Sequence, residues 1–145
     1  MAQTAELTKQ LEETLRRANT ILFKHGRSVL IGMEISALQF NALLIIREFG
    51  PLTMGDLGKH LFVACSTATD LADRMERSML VERIRDHKDR RAVRLHLLAR
   101  GNQALDAVII ERQNFIGEVL EDYTKEEYVE LLRGLELLAE RMEMK

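Results

Sequence analysis

Both ends of the chain carry apolar residues at helical spacing. Apolar positions recur every three or four residues over residues 5–25, which predicts an amphipathic helix that ends between Gly26 and Gly32. The helical spacing returns after Gly101, and a last helix begins at a capping box that opens with Thr124. The apolar positions of this last helix are Tyr128, Leu131, Leu132, Leu135, Leu138, Ala139 and Met142. Each terminal helix therefore needs a cover for its apolar stripe, either the centre of the chain or the same helices of a second chain.

Three shorter helical segments occupy the middle of the chain. The first opens at a capping box at Ser36 and stops at Gly50, the second covers residues 54–61, and the third covers residues 64–78. The inner face of the third segment is predicted to consist of Ala68, Leu71, Ala72 and Met75. Three short helices thus follow one another within about forty residues.

The spacing then changes from helical to alternating. Apolar and polar residues alternate over residues 93–97, which is the pattern of a half-buried strand. Residues 81–85 can supply its antiparallel partner, and residues 86–91 then form a charged hairpin tip. The predicted fold class is therefore mainly α with a small antiparallel β-wing.

Length and composition limit the kind of protein this is. A chain of 145 residues is long enough for one domain that needs neither disulfides nor metals. The 46% hydrophobic content excludes a disordered chain, and the single proline argues against a loop-rich β-sandwich. One cysteine cannot form an intramolecular disulfide, and the polar N-terminal segment lacks the pattern of a signal peptide. No apolar run approaches the roughly 18 residues of a membrane span, so we expect a cytoplasmic protein.

Charge is distributed unevenly although the net charge is only −2. Residues 1–50 carry +1, residues 51–100 carry +3 and residues 101–145 carry −6. Within the middle part, residues 81–100 alone carry +4. A basic segment in an otherwise acidic chain indicates a polyanionic partner such as nucleic acid, although a solvated charged face is the commoner meaning of such a run.

Neither a catalytic site nor a metal site is predicted. The chain contains no serine elbow, no phosphate-binding loop and no paired-carboxylate motif. The histidines lack the paired short spacings of a zinc site. They are His25, His60, His87 and His96. We therefore expect no catalytic residue, no metal and no cofactor.

The order of the central elements is that of a winged helix-turn-helix. A helix fits the DNA major groove, and a narrow hairpin can deliver cationic side chains into the minor groove or onto phosphates. Residues 64–78 would be the recognition helix. Its hydroxyls at Ser66, Thr67 and Thr69 suit base edges and phosphates, while the alternative is that they cap the helix.

Two segments resemble a known family. The segment STATDLADRMERSMLVER at residues 66–83 resembles the recognition helix and first wing strand of the MarR family of transcriptional regulators. The segment DRRAVRLHLLARG at residues 89–101 resembles the wing signature D-x-R-x-x-x-L-x-L-T-x-x-G of that family. The helices on either side match its layout, so the resemblance covers essentially the whole chain.

The resemblance implies a cytoplasmic homodimer built from one domain per chain. Residues 36–100 would form the DNA-binding winged-helix lobe, and residues 1–30 and 101–145 would form the dimerisation helices. The family's members usually repress a pseudo-palindromic operator, and a small phenolic or other anionic ligand, or oxidation, releases them. A winged-helix module that binds proteins and has lost affinity for DNA is the alternative, which Asp70 and the overall acidity favour.

The resemblance also assigns roles to individual residues. Arg91 resembles the wing-tip arginine that enters the minor groove, Asp89 resembles its orienting carboxylate, and Arg90 shares this role. The candidate DNA-contacting residues are Ser66, Thr67, Thr69, Asp70, Arg74 and Arg77 on the helix and Asp89, Arg90, Arg91 and Arg94 on the wing.

Three residues depart from the family pattern. Leu98 replaces the usual threonine after the second wing strand, and Met79 stands where a helix-ending glycine is common. We therefore expect a left-handed turn at Met79, which costs conformational energy because methionine has a Cβ. Asp70 stands where a cationic residue often faces DNA, so it would repel phosphate and is expected to read a base donor or to narrow the choice of operator.

Two further expectations concern regulation. Cys65 is expected to be a small half-buried hydrophobe, because the family's oxidation sensors usually carry their reactive cysteine in the first helix, which has none here. A small aromatic or anionic effector would occupy a cleft between the dimer bundle and the DNA-binding lobe. Its candidate walls are His25, Met33, Phe40 and Arg47, of which Met33 and Phe40 also fit a plain core and Arg47 a solvated position.

Overall fold

The computed structural model describes all residues from Met1 to Lys145 and contains seven helices and three short strands. The helices are α1 (Ala2–Lys24), α2 (Arg27–Gly32), α3 (Ala37–Phe49), α4 (Met54–Leu61), α5 (Cys65–Arg77), α6 (Ala99–Val119) and α7 (Lys125–Glu143). The strands are β1 (Leu52–Thr53), β2 (Val81–Arg85) and β3 (Val93–Leu97). This order confirms the predicted mainly α, winged helix-turn-helix fold. None of the helices combines the length and the apolarity that a membrane crossing requires.

The chain divides into two compact units, Met1–Glu111 and Arg112–Lys145. The first unit contains one hydrophobic core to which α3, α4, α5, β3 and the first half of α6 contribute. Its largest fully buried side chains are Phe40, Leu43, Leu57, Met75, Leu80, Val81, Leu95, Leu105 and Val108. Burial of each such side chain stabilises the fold by roughly 1.5–3 kcal/mol, so this core holds the winged-helix elements together.

Side-chain caps define where three helices begin. At α3, the Ser36 hydroxyl accepts from the Gln39 backbone N–H at 3.1 Å, while the Ser36 N–H donates to the Gln39 side chain at 2.9 Å. Thr124 makes the same reciprocal pair of bonds at the start of α7. Thr53 caps α4 by accepting from the Asp56 N–H at 3.1 Å. Both predicted capping boxes and the predicted helix start at Thr53 are therefore confirmed.

The segment after α1 differs from the prediction. The chain was expected to leave helical structure between Gly26 and Gly32, but the six residues of α2 form a further helical turn there. Gly26 interrupts the helix with a left-handed φ of 98°, and its Cα faces the Val108 side chain so closely that a Cβ would meet it at 2.8 Å. Only glycine satisfies both conditions at this position.

The sheet has one strand more than predicted. β2 and β3 pair antiparallel with Arg83 opposite Leu95, as the alternating pattern indicated. β1 adds to the other edge of β3, with Leu52 opposite Leu95 and Thr53 opposite Arg94, giving the strand order β1-β3-β2. A strand of two residues is too short to show any alternation, so the sequence pattern carried no signal for it.

The connection between α4 and α5 is tight because small residues let the helices approach each other. Gly58 is buried, and a Cβ at this position would lie 3.0 Å from the Val63 carbonyl oxygen and 3.6 Å from the Ala68 Cβ. Phe62 ends α4 in a left-handed conformation with a φ of 58°, and the residue is 94% exposed. The close contact fixes α5 against α4 and leaves the opposite face of α5 in solvent.

The turn between α5 and β2 confirms the expectation about Met79. Its φ is 60°, which is the left-handed conformation that glycine adopts without cost. For a residue with a Cβ this conformation costs roughly 1–2 kcal/mol. Backbone bonds hold the turn, since Leu80 donates to the Met75 carbonyl at 2.9 Å.

α6 begins earlier than predicted. The helical pattern was expected only after Gly101, yet α6 starts at Ala99 and includes that glycine. Gly101 is buried against the Leu80 carbonyl group, which leaves no room for a side chain. Arg100 extends this contact by donating to the Ser78 carbonyl and, at 2.8 Å, to the Met33 carbonyl.

Candidate nucleic-acid interface

α5 has one buried and one exposed face. The buried face is the predicted one and consists of Ala68, Leu71, Ala72 and Met75. The exposed predicted site residues on this helix are Ser66, Thr67, Asp70, Arg74 and Arg77. The hydrophobic periodicity of the segment thus identified both faces correctly, and the outer face offers hydroxyl, carboxylate and guanidinium groups to solvent.

The hydroxyl groups of α5 do not cap the helix. The N-cap position is Ala64, which has no side-chain oxygen, so the capping alternative is wrong. Ser66 and Thr67 are exposed and make no side-chain hydrogen bond, whereas the half-buried Thr69 donates to the Cys65 carbonyl at 2.9 Å. The first backbone N–H groups of α5 therefore lack a partner within the protein, as at any uncapped helix start.

Cys65 is exposed, which contradicts the expectation of a half-buried hydrophobe. The physical reason is its position as the first residue of α5, ahead of Ala68, where the buried face of the helix begins. Its thiol makes no hydrogen bond, and no group of metal-binding side chains surrounds it or lies elsewhere in the protein.

Two successive aspartate turns order the tip of the wing. The Asp86 carboxylate accepts from the Lys88 backbone N–H at 3.1 Å, and the Asp89 carboxylate accepts from the Arg91 backbone N–H at 3.1 Å. The Asp86 N–H donates to the Ala92 carbonyl at 2.9 Å and closes the hairpin. Each aspartate thereby holds a tight turn. The exposed side chains of this tip are His87, Lys88, Asp89, Arg90 and Arg91.

Asp89 contacts the main chain of Arg91. Its carboxylate therefore fixes the backbone from which the Arg91 side chain projects, rather than gripping the guanidinium. The guanidinium remains exposed and is available to another molecule. Arg90 is anchored through its backbone, because its carbonyl accepts from Arg85 at 2.9 Å.

Arg94 lies at the base of the wing and has an intramolecular partner. Its Nε donates to the Asp86 Oδ2 at 3.1 Å, and both side chains are partly buried. Two hydrogen bonds hold the pKa of the Asp86 carboxyl below its usual value. The bond from the Lys88 backbone N–H has the larger effect, and the bond from the Arg94 side chain has the smaller one. Sequence reasoning missed Asp86. The repeated spacing D-x-K and D-x-R at residues 86–91 was the signal for the two turns.

A second group missed by sequence reasoning joins α5 to β2. The Arg83 guanidinium contacts the Asp73 carboxylate at 2.6 Å and the Glu76 carboxylate at 3.1 Å. The bond to Asp73 is the main cause that raises the pKa of Arg83 above its usual value. We call Asp73, Glu76 and Arg83 the Arg83 cluster. The sequence carried no signal for it, because Asp73 and Glu76 precede Arg83 by ten and seven residues and reach it only through the turn at Met79.

The four candidate effector residues lie in different environments. Phe40 is in the hydrophobic core, and Met33 packs against that core. His25 is half-buried at the end of α1, and Arg47 is exposed with its guanidinium 2.7 Å from the Asp106 carboxylate. A ligand would have to open the core to reach Phe40, and the effector cleft stays a prediction.

The chain is similar to known regulators over nearly its full length. A model of the MarR family matches residues 35–93. The Bacillus subtilis (strain 168) protein named "Uncharacterized HTH-type transcriptional regulator YsmB" is 38% identical, covering 97% of this chain and 96% of that protein. The structure of a MarR family protein from Bacillus stearothermophilus is 40% identical with a TM-score of 0.84, covering 94% and 96% of the two chains. The transcriptional regulator Tm0710 from Thermotoga maritima is 34% identical with a TM-score of 0.79 and the same coverage.

Proposed function

This chain belongs to the MarR family of transcriptional regulators, and on that premise we propose that it binds duplex DNA sequence-specifically as a homodimer and represses transcription. The observation that carries the proposal is the wing. Its tip is ordered by two aspartate turns and exposes Lys88, Arg90 and Arg91. Cationic side chains on a narrow, ordered hairpin suit the phosphates and the minor groove of DNA.

The recognition helix α5 supplies the second contact. Its outer face presents the free hydroxyls of Ser66 and Thr67, which fit base edges in the major groove, and its uncapped N–H groups suit a phosphate. Arg74 and Arg77 lie further along the same helix and suit the phosphate backbone. Asp70 is exposed and repels phosphate, so we assign it to a base that offers a donor. Since its partner is operator DNA, we place the protein in the cytoplasm.

Exposed apolar stripes on the terminal helices support the homodimer. The exposed apolar residues of α1 include Leu7, Leu11 and Ile21, and those of α7 include Leu131, Leu132, Leu135 and Met142. Neither helix has a buried residue within the chain itself. Apolar surface of this extent is typical of an interface between subunits, and a second copy of the same chain is the simplest partner that matches it.

The substitution Arg91→Ala is expected to weaken duplex binding by roughly 1–3 kcal/mol, because it removes an exposed guanidinium from the wing tip. If Arg91 neutralises one phosphate, the slope of log affinity against log salt should also fall by about 0.9. Fluorescence anisotropy with a labelled duplex at several salt concentrations measures both quantities.

Arg27→Ala is the matched control, because Arg27 is exposed on α2, outside the helix and wing of the proposed interface. It should bind like the unmodified protein. Equal affinity and equal salt slope for Arg91→Ala and the unmodified protein would remove Arg91 from the interface.

The family resemblance extends the proposal to release by a small aromatic or anionic effector. Such a ligand lowers DNA affinity only if it binds the DNA-incompetent arrangement of the two recognition helices more tightly than the competent one. A thermal-shift screen of aromatic acids, run with and without operator duplex, is expected to find a compound that stabilises the free protein and displaces the duplex. If no compound does either, release by an aromatic acid is wrong, and the alternative is a regulator governed by its own concentration.

A further inference from the structure

We propose that the Arg83 cluster is a positioning device that sets the wing relative to the recognition helix, and so determines DNA affinity without touching DNA. The proposal rests on the proposed function. Arg83 is on β2, the first strand of the wing, while Asp73 and Glu76 are on α5. The cluster is therefore a direct polar connection between the two elements that we expect to contact DNA.

The geometry of the cluster fixes both a side chain and a backbone. Arg83 donates from Nη2 to Asp73 Oδ1 at 2.6 Å and from Nη1 to Glu76 Oε1 at 3.1 Å. The other oxygen of Glu76 accepts from the Arg83 backbone N–H at 3.0 Å. A third contact of the guanidinium runs from Nη2 to the Thr69 carbonyl at 3.4 Å. Glu76 thus binds the backbone of β2 as well as the Arg83 side chain. A bond between two flexible side chains alone would not fix the strand in this way.

The burial of the Arg83 side chain separates the cluster from an ordinary surface ion pair, while the Asp73 and Glu76 side chains are 49% and 42% exposed. The Arg83 side chain is 25% exposed, whereas both members of the Arg16–Glu12 pair on α1 are more than half exposed. Exposed pairs contribute little to stability, because water screens them and ordering two long side chains costs entropy. A partly buried guanidinium shared by two carboxylates and a carbonyl holds one geometry more firmly, because loss of one partner leaves part of the guanidinium without a hydrogen bond.

The charge of the cluster argues against direct DNA contact. Two carboxylates surround one guanidinium, so the cluster carries a formal net charge of −1. The two carboxylates more than neutralise the positive charge of Arg83, so the cluster does not attract a phosphate. Both carboxylates lie on the same helix as Arg74 and Arg77. Because carboxylates repel phosphates, Asp73 and Glu76 should by their charge alone weaken the binding of DNA to this helix. Their presence is explained if the geometry that they impose on the wing contributes more to binding than their charge costs.

The connection that the cluster controls is short and bent. Only Ser78, Met79 and Leu80 separate α5 from β2, and Met79 has the left-handed φ of 60°. The direction in which the wing leaves the helix therefore depends on the dihedral angles of these few residues. The Arg83 cluster closes the loop three residues beyond Leu80 and holds that direction.

The substitution Asp73→Asn tests the proposal because charge and geometry predict opposite signs. Loss of a negative charge near a polyanion should strengthen DNA binding, whereas replacement of the charge-assisted bond to Arg83 by a weaker bond to a neutral amide oxygen should weaken it. We expect the affinity for operator duplex to fall by roughly 5- to 30-fold with an unchanged salt slope. Glu82→Gln is the matched control, because Glu82 is exposed on β2 and makes no side-chain hydrogen bond. This control should bind as tightly as the unmodified protein or more tightly.

A combination with Arg91→Ala separates positioning from a general loss of stability. Asp73 and Arg91 make no contact, so independent effects should add. Positioning of the wing predicts instead that Asp73→Asn costs little once Arg91 has been removed. Arg83→Lys, which keeps the charge but loses the forked geometry, should behave like Asp73→Asn, and urea unfolding checks that each variant is folded.

The outcomes distinguish the two levels of the proposal. If the unmodified protein binds duplex but Asp73→Asn binds equally or more tightly, or if its effect adds to that of Arg91→Ala, the positioning role is overturned and the proposed function stands. If the unmodified protein binds no duplex at low salt, both are overturned.

Discussion

Gly101→Ala is expected to destabilise the protein by about 3 kcal/mol or more. A Cβ on Gly101 would approach the Leu80 carbonyl oxygen more closely than any Cβ tolerates, and it would lie 3.3 Å from the carbonyl carbon. Leu80 cannot move aside without cost, because its side chain is fully buried and its carbonyl accepts from the Leu98 N–H at 3.0 Å. In the variant, this clash would push the start of α6 away from the turn that leads into the wing.

Gly117→Ala is the matched control for this substitution. Gly117 is in the same helix, and a Cβ there would meet nothing within 4 Å. Alanine is the better helix former by about 1 kcal/mol, so this variant should be as stable as the unmodified protein or more stable. Urea unfolding measures both. Equal free energies of unfolding for Gly101→Ala and the unmodified protein would contradict the close packing.

The double substitution Leu131→Asp and Leu135→Asp is expected to produce a folded monomer that has lost roughly 100-fold or more of its operator affinity. Both leucines are exposed on the apolar stripe of α7. In a homodimer each substitution would place an unpaired carboxylate in the interface from both chains, which costs far more than the lost apolar contact. A monomer can engage only one half-site, so the gain from simultaneous binding disappears.

Leu137→Asp introduces the same side chain on the other side of α7. At about 100° per residue, Leu137 is far around the helix from the stripe, and it is exposed. This variant should remain a dimer and bind operator normally. Sedimentation gives the mass of each protein. A double variant that still sediments as a dimer would remove α7 from the proposed interface.

Local signals predicted the elements of this fold well. Capping boxes at Ser36 and Thr124 involve residues three apart, and the alternation over residues 93–97 needs only one strand, so both are visible in the sequence. The buried face of α5 followed from helical periodicity in the same way. These signals do not depend on where the rest of the chain folds.

Features that depend on distant contacts were not predictable from local patterns. β1 exists because β3 pairs with it, and position 101 within α6 requires glycine because the Leu80 carbonyl lies against it. Arg94 was expected simply to face DNA, yet it also pairs with Asp86, which is eight residues away in sequence. The Arg83 cluster likewise requires the turn at Met79. A single sequence shows that such residues are charged, but it does not show which of them find partners within the protein.

The exposure of Cys65 has the same origin. A cysteine at the start of a helix that packs on another helix is half-buried or exposed according to where the packed face begins. Here that face begins at Ala68, three residues later. Cysteine is a residue type that is commonly buried, but the geometry of the turn between α4 and α5 leaves Cys65 exposed.

Selection of the preferred duplex from a random library tests the central claim most directly. A homodimeric winged-helix regulator should enrich a pseudo-palindrome whose half-site centres lie about one helical turn apart. Insertion of about five base pairs between the half-sites, roughly half a turn, should then abolish tight binding. Retention of no duplex even at low salt would contradict the claim and favour a winged-helix module that binds proteins instead.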